Sequence, residues 1–208
     1  MTGNATVSVV IPCFNSAATI ERALRSVEHQ TTKPHEVLVV DDASSDNTVS
    51  VIEQYARTSS INIRVIKQSV NGGPSVARNA AWNVATGEFI AFLDADDQWH
   101  PQKLEEQLNA MLANPTCVMS FHDHLFGSSE QFETLPFTPV TSQATLRNYL
   151  LRNRSATPTV MLRTALTERF TSTKRYAEDY LLWMTIVANH GNALHIHATL
   201  AHCSNPGY

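Results

Sequence analysis

The chain has 208 residues, 43% of them apolar and 16% charged, with a formal net charge of -4; this suits one large domain with a sizeable core and lacks the basic footprint that duplex nucleic acid demands, so no nucleic-acid partner is expected. Cys13, Cys117 and Cys203 are odd in number and widely spaced, so neither a disulfide framework nor a thiolate zinc site is indicated, and a reducing cytoplasm fits. No run approaches the roughly 18 apolar residues of a spanning helix and no signal-peptide pattern opens the chain, which leaves peripheral contact as the expected form of any membrane association.

From residue 7 to about 113, strand-like runs alternate with amphipathic stretches, the pattern of right-handed βαβ units around a mostly parallel central sheet flanked by helices on both faces. Strands are predicted at Val7 to Pro12, Glu36 to Asp41, Asn62 to Lys67 and Glu88 to Leu93. Helices are predicted from about Ser16 to His29, Asn47 to Arg57, Pro74 to Ala85 and Pro101 to Ala113. Ile20, Leu24 and Val27 keep the spacing of a helix that buries one face. Ser16 is a candidate cap for the first helix, and Pro74 suits the first turn of the third. After Asn114-Pro115 the alternation weakens, and Gly127 to Thr141 reads as a long loop of the kind that serves as a lid or binding segment. Beyond it we expect a helix near Ser142 to Leu151, a strand near Thr157 to Leu162, a helix from Glu178 to Asn189 and a strand near Ala193 to His202. No internal repeat is visible, and the closing run Ser204 to Tyr208 reads as a turn within a longer protein rather than a finished terminus.

Two of the predicted strands end in acid. Val37 to Val40 leads into Asp41-Asp42, and Phe89 to Leu93 leads into Asp94-Ala95-Asp96-Asp97. Buried parallel strands read as continuous aliphatic runs, and ligands of open α/β sheets sit beyond their carboxyl ends. Two like charges about 4 Å apart repel by roughly 4 kcal/mol at the effective dielectric of a protein surface. Carboxylates gathered on one sheet edge therefore call for a cation, most simply a divalent metal carrying a phosphorylated ligand. The first strand tip, Pro12-Cys13-Phe14-Asn15, enters its helix without glycine, so both the dinucleotide fingerprint and the P-loop are missing. A metal bridging carboxylates and phosphates is then the available way to hold a nucleotide diphosphate.

A single Asp after a strand commonly just starts a turn, but three acids within four positions exceed what a turn needs. Asp41 and Asp42 suit hydrogen bonds from a base and ribose, whereas capping of the next helix accounts for Asp46. Arg78, early in a helix, faces an unfavourable dipole and needs an anion; a diphosphate would serve, and so would a neighbouring acid. Glu178-Asp179 stands at a helix start, where Asp is commonly a cap. The pairs His122/His124 and His195/His197 have the period of one strand face and suit zinc, yet no third ligand stands at an obvious spacing, so core or solvated imidazoles are the expectation. Arg147, Arg152, Arg154, Lys174 and Arg175 make the region after the loop basic, which fits a phospholipid surface, a phosphorylated acceptor or a plain solvated face.

Together these residues resemble the family 2 glycosyltransferases, inverting enzymes of the GT-A fold with a Rossmann-like nucleotide-binding half. Val7 to Asn15 resembles the family's opening strand, and Val39 to Thr48 its nucleoside-binding turn. Asn71-Gly72-Gly73 through Asn79 is similar to its glycine-turn and arginine element, Phe92 to Asp97 to its metal-binding DxD, and Ala177 to Trp183 to the acidic segment that supplies the base. The resemblance implies transfer of a sugar from a nucleoside diphosphate donor (UDP, GDP or dTDP) to a hydroxyl of a glycan or lipid-linked glycan acceptor. Its usual setting is bacterial surface polysaccharide assembly, in the cytoplasm or peripherally at the inner face of the membrane.

Carried onto this chain, the resemblance places the donor nucleotide on Asp41 together with Pro12, Asn15, Asp42 and Ala95, and the diphosphate on Arg78. Asp96 with Asp94 would bind Mn²⁺ or Mg²⁺, and Asp179 would take the acceptor proton. Residues 1–113 then form the donor half, and 114–208 the acceptor and base half, of one domain. Family members often end this region with Arg, a spacer and His before Pro-Gly, whereas this chain has His202-Cys203-Ser204-Asn205-Pro206-Gly207, which leaves a metal or phosphate contact from His202 open. Two rival readings stand beside this one. A non-catalytic nucleotide-sugar or glycan-binding module would keep the same binding residues. Haloacid-dehalogenase-like phosphatases also carry DxD, but near the front of the chain and with Thr or Val where this chain has Gln98.

Overall fold

The computed structural model describes residues 5–126, 132, 138–151, 153, 155–172 and 177–204. The four aliphatic runs form β1 (Val7–Cys13), β2 (Glu36–Asp41), β3 (Ile63–Lys67) and β4 (Phe89–Phe92), joined by α1 (Ile20–Glu28), α2 (Thr48–Thr58) and α3 (Pro74–Trp82). They pair in parallel in the order β3-β2-β1-β4, so the chain winds one way from β1 and then crosses to its other side. That reversal opens a crevice beyond the carboxyl ends of β1 and β4.

Every residue of β1, β2 and β4 is buried, because helices cover both faces. Alternate side chains enter opposite layers. Val9, Ile11, Val37 and Val39 pack with Leu24, Val27, Ile52 and Leu104 on one side; Val10, Leu38, Val40 and Phe92 pack with Ala77, Ala81, Trp82 and Trp183 on the other. Each such aliphatic or phenyl side chain contributes about 1.5–3 kcal/mol by leaving water. Gly87 permits the close approach of β1 to the turn before β4: a Cβ there would stand 2.6 Å from the Ser8 backbone nitrogen, and Gly87 N–H donates to Ser8 Oγ at 2.9 Å.

The remaining elements are β5 (Gln98–Trp99), α4 (Lys103–Ala113), β6 (Met119–Phe126), β7 (Thr141–Ala144), α5 (Leu146–Leu151), a 3-10 turn (Thr157–Thr159), β8 (Met161–Arg163), α6 (Glu178–His190) and β9 (Ala193–Cys203). The sheet continues β4-β8-β6-β9-β5, with β7 also on β9. β8 is antiparallel to β4 and β6, β6 and β9 are parallel, and β5 and β7 run antiparallel to β9.

Several expectations need correction. The helix expected over Ser142 to Leu151 is split: Thr141 to Ala144 pairs with Ala193 to Ile196 as strand, and helix starts only at Leu146. The ladder with β9 overrides helix propensity there. The strand expected from Thr157 starts at Met161, because Pro158 sits in a 3-10 turn. α1 begins at Ile20, and the Ser16 hydroxyl engages the backbone of Phe14 instead of capping it. Pro74 does occupy the first turn of α3, after Gly73 at φ 84°. Of the expected long loop, residues 127–131 and 133–137 lie outside the described residues, and Thr141 belongs to β7. Arg152, Arg154, Lys174 and Arg175 of the basic region, and the closing run from Asn205, also lie outside them. All three cysteines are free and buried. Among the described residues no helix is long and apolar enough to cross a membrane.

Candidate active site

The carboxyl ends of β1, β2 and β4 open on a cleft of about 660 Å³. Pro12, Cys13, Phe14 and Asn15 from the tip of β1, Asp42 beyond β2, Gly73 and Pro74 at the start of α3, Arg78, and Asp94 to Asp97 beyond β4 line it. Two non-glycine residues beside it hold positive φ, Asn15 at 50° and Ala43 at 62°. Such backbone persists only when its surroundings over-determine it. Here the side-chain amide oxygen of Asn15 accepts from Ser45 N–H at 2.9 Å, while Asn15 N–H donates to Ser44 Oγ at 2.9 Å, tying the β1 and β2 tips together.

The acids divide by what engages them. Asp42 accepts from Gly72 N–H at 2.8 Å and Gly73 N–H at 2.7 Å, one bond per carboxylate oxygen, and so builds the glycine turn. Asp41 is buried and absent from the cleft lining; its Oδ2 accepts from Ser44 N–H at 3.2 Å, while its buried Oδ1 has no hydrogen-bond partner among the described residues. An orphaned buried carboxylate oxygen is costly unless a donor arrives. Asp46 accepts from Thr48 N–H at 3.0 Å, as expected of a cap, and from Ala17 N–H at 3.1 Å.

Arg78 is 5% exposed and pairs with Asp94 at 2.6 Å and with Glu178 at 3.8 Å. Burial opposes its charge, but Asp94 foremost, then Asp179 and Glu178, hold the guanidinium firmly protonated. The arginine thus links the acidic tip of β4 to the first turn of α6. The Asp96 backbone carbonyl is held by Arg22 and by Ser204 Oγ, so α1 and the chain after β9 both clamp the acidic loop. Among the described residues nothing bonds the Asp96 carboxylate. Asp97 accepts from Ser204 N–H at 2.9 Å, yet burial and the charges of Asp94 and Asp96 push its carboxyl up to about 7. The Asp96 carboxylate, with Asp94 two residues before it, offers the oxygen donors that a hard divalent cation takes, so the pair suits the expected Mg²⁺ or Mn²⁺ although Arg78 already offsets the charge of Asp94.

Asp179 lies in the first turn of α6, where its Oδ1 accepts from Tyr180 N–H at 2.6 Å and its Oδ2 from Thr157 Oγ1 at 3.2 Å. Burial raises its pKa, and Asp94 adds to that, against Tyr180 N–H, Arg78 and Thr157. It does not line the cleft. His202 is buried, pairs with Gln98 across the β5–β9 ladder, lies with its ring 5.9 Å from Phe132, and is also absent from that lining. Sequence reasoning missed Phe14, which is 48% exposed at the cleft, and the supporting contacts of Arg22, Thr157, Glu178 and Ser204. Phe14 was legible as an aromatic directly after a buried strand. The others depend on contacts between residues far apart in the chain.

An open, doubly wound sheet with an acid-lined, glycine-poor nucleotide crevice at its switch point and a mixed extension beyond β4 defines a GT-A type domain. The family described as Glycosyl transferase family 2 matches residues 8–170, and the chain belongs to that family. It is 34% identical over 182 residues to the UDP-Glc:alpha-D-GlcNAc-diphosphoundecaprenol beta-1,3-glucosyltransferase WfgD of Escherichia coli, covering 87% of this chain and 69% of that protein. The putative teichuronic acid biosynthesis glycosyltransferase TuaG of Bacillus subtilis is 40% identical over 115 residues, 55% of this chain and 45% of TuaG. S. aureus TarS 1-349 in complex with UDP-GlcNAc superposes with a TM-score of 0.80 at 26% identity, over 98% of this chain and 59% of TarS. The mannosyltransferase PcManGT of Pyrobaculum calidifontis, in complex with GDP-Man and Mn²⁺, shares the fold with a TM-score of 0.78 at 22% identity, over 99% of this chain and 59% of its own. The chain therefore spans well under two thirds of several of the proteins it matches.

Proposed function

We propose that this chain carries out an inverting transfer of a sugar from a nucleoside diphosphate, with UDP the favoured carrier, to a hydroxyl of a glycan or lipid-linked glycan acceptor in surface polysaccharide assembly. The observation that carries the reading is the acidic loop beyond β4, where the Asp96 carboxylate is unengaged among the described residues beside an Asp97 pushed up to about 7. That arrangement suits a site that receives its cation together with a nucleotide diphosphate. WfgD and the UDP-GlcNAc complex of TarS support UDP as carrier, and the diphosphoundecaprenol in the name of WfgD supports a lipid-linked acceptor.

In this reading residues 1–113 handle the donor and residues 114–208 the acceptor. Phe14 offers its exposed ring to the base, and the orphaned Asp41 Oδ1 takes a hydrogen bond from the donor's nucleoside. Pro12, Asn15, Asp42 and Ala95 shape the nucleoside wall. Arg78 directs its positive field into the cleft while fixing Asp94. Asp96 and Asp94 would hold Mn²⁺ or Mg²⁺, which would supply positive charge to offset the negative charge growing on the departing diphosphate. Asp179 accepts the proton of the acceptor hydroxyl as that oxygen attacks the face of the anomeric carbon opposite the leaving diphosphate. One displacement inverts the configuration there.

Calorimetric titration of the purified protein with UDP-, GDP- and dTDP-sugars, with and without Mn²⁺, tests this. The expected result is metal-dependent binding of a UDP-sugar that Asp96→Asn weakens at least tenfold. Equal binding without metal, or no binding of any donor, would overturn the reading.

A further inference from the structure

Away from the cleft, β6 and β9 bring together Asp123, His195 and His197, with one ligand atom of each within 4.8 Å of the others. The two histidines stand two apart on β9 and share a face. Asp123 reaches them from the parallel neighbour β6, whose register with β9 slips on both sides of it, between His122 and Asp123 and again between Asp123 and His124. The extra residues lie on β9, where consecutive His122 and Asp123 face Ile196 and Thr199, so His197 falls outside the ladder with β6, and a bulge of this kind re-aims a side chain. His122 turns fully into the core instead, so the third ligand is the acid between the two histidines that the sequence pattern picked out.

The cluster is pre-assembled. His195 Nε2 and Asp123 Oδ1 are 2.8 Å apart, and the His195 and His197 rings are 4.0 Å apart between centroids. His195 is stacked on Phe121 at 4.6 Å, with 8° between the planes, which fixes its ring orientation. Ser142 Oγ of β7 stands 2.8 Å from His197 Nε2 and orients the second imidazole, the kind of outer contact that metal-bound histidines carry.

We propose that Asp123, His195 and His197 form a Zn²⁺ site, separate from the acidic cleft, that staples β6 to β9 and, through Ser142, steadies β7. Zinc bonds of about 2.0–2.2 Å in a tetrahedral shell set ligand atoms about 3.3–3.6 Å apart, a spacing that the trio within 4.8 Å brackets, with the 2.8 Å His195–Asp123 pair opening to admit the ion. Two imidazoles and one carboxylate make a borderline donor set that favours zinc over the Mg²⁺ or Mn²⁺ suited to the all-oxygen cleft. The fourth position falls to water. Zinc must displace any proton on the coordinating nitrogens, so its affinity falls on acidification. The staple joins strands in the sheet extension that the aliphatic runs of β1 to β4 do not reach.

The test strips the protein with EDTA and titrates it with Zn²⁺, following heat and melting temperature, and with Co²⁺, following visible absorption. We expect one zinc per chain, a Tm rise of about 5–10 °C at a hundredfold excess over Kd, and the intense visible bands of four-coordinate Co²⁺. Asp96→Asn should leave this binding intact. His197→Ala and Asp123→Asn, both at exposed positions, should each weaken zinc at least tenfold and abolish the cobalt bands, while melting like the parent in EDTA; either variant alone suffices should the other fail to fold. No saturable zinc binding, binding indifferent to both substitutions, or binding lost in Asp96→Asn would overturn the proposal.

Discussion

Replacing Arg78 by methionine removes the guanidinium between Asp94 and Glu178 while keeping an unbranched stem of similar reach. The ion pair is enclosed: side-chain exposure is 6% for Arg78, 25% for Asp94 and 14% for Glu178, with separations of 2.6 and 3.8 Å. Taking one partner out of a buried pair leaves the other charge uncompensated, at a cost of about 3–5 kcal/mol. At roughly 2–4 °C per kcal/mol for a chain of this size, Arg78→Met should melt about 6–20 °C below the parent. Asp94→Asn removes the stranded charge, so the double variant should lose less than the sum of the singles, with a coupling of about 1–3 kcal/mol. Urea midpoints and scanning fluorimetry of the four proteins give the cycle. The same samples, titrated with a UDP-sugar, separate support from direct contact. A variant that melts within 2 °C of the parent yet no longer binds donor would mean that Arg78 serves the diphosphate alone, and the ion-pair reasoning would be refuted.

Asp179→Asn should cut transfer by about 10²–10⁴-fold with donor affinity unchanged, and retention of full transfer would remove Asp179 from the mechanism. Burial, with Asp94 beside it, holds the Asp179 carboxyl above the ordinary aspartate range, and a base works only when ionised. The acid limb of kcat should therefore lie above about pH 4, and Thr157→Val should move it higher, because the lost hydrogen bond favours the charged form; a limb that stays put in Thr157→Val would contradict that contact. Lys103→Met should raise stability by about 1–3 kcal/mol at neutral pH, since Lys103 is fully buried over the Trp99 ring at 3.8 Å with an unpartnered Nζ. Burial depresses its folded-state pKa, so the unfolded chain binds the extra proton; the gap between variant and parent should shrink as pH rises toward about 10.4, and a less stable variant would refute it.

How far the chain could be read beforehand follows from which residues speak locally. β1, β2 and β4 were legible because helices bury both their faces, which forces uninterrupted aliphatic runs that little else produces. β5 is two residues long and carries no period, and β6 mixes buried Phe121 and His122 with exposed Asp123 at a bulge, so neither announces itself. β7 reads as helix in the sequence because its polar Thr141-Ser142-Gln143 is strand only through the ladder to β9. The acids at the strand tips were visible from the sequence. Their division of labour was not, since it rests on Gly72, Gly73, Arg78 and Ser204, which reach them across the fold.

That division changes how the acidic cleft is understood. Read from sequence, five carboxylates on one edge demand a cation before the sheet could be stable. In the fold, two backbone N–H groups engage both oxygens of Asp42, Arg78 neutralises Asp94, and Asp97 holds Ser204 N–H with its pKa near neutrality. Among the described residues, Asp41 keeps one buried oxygen unmatched and Asp96 keeps its carboxylate unengaged. Folding thus absorbs most of the repulsion by itself and leaves the remainder at two places, one beside β2 and one beyond β4. In the proposed function, a donor whose nucleoside meets the first and whose cation-bearing diphosphate meets the second would relieve both in a single binding event. Either half alone would relieve only one, so free nucleoside or free metal is expected to bind this cleft more weakly than the intact donor with its cation.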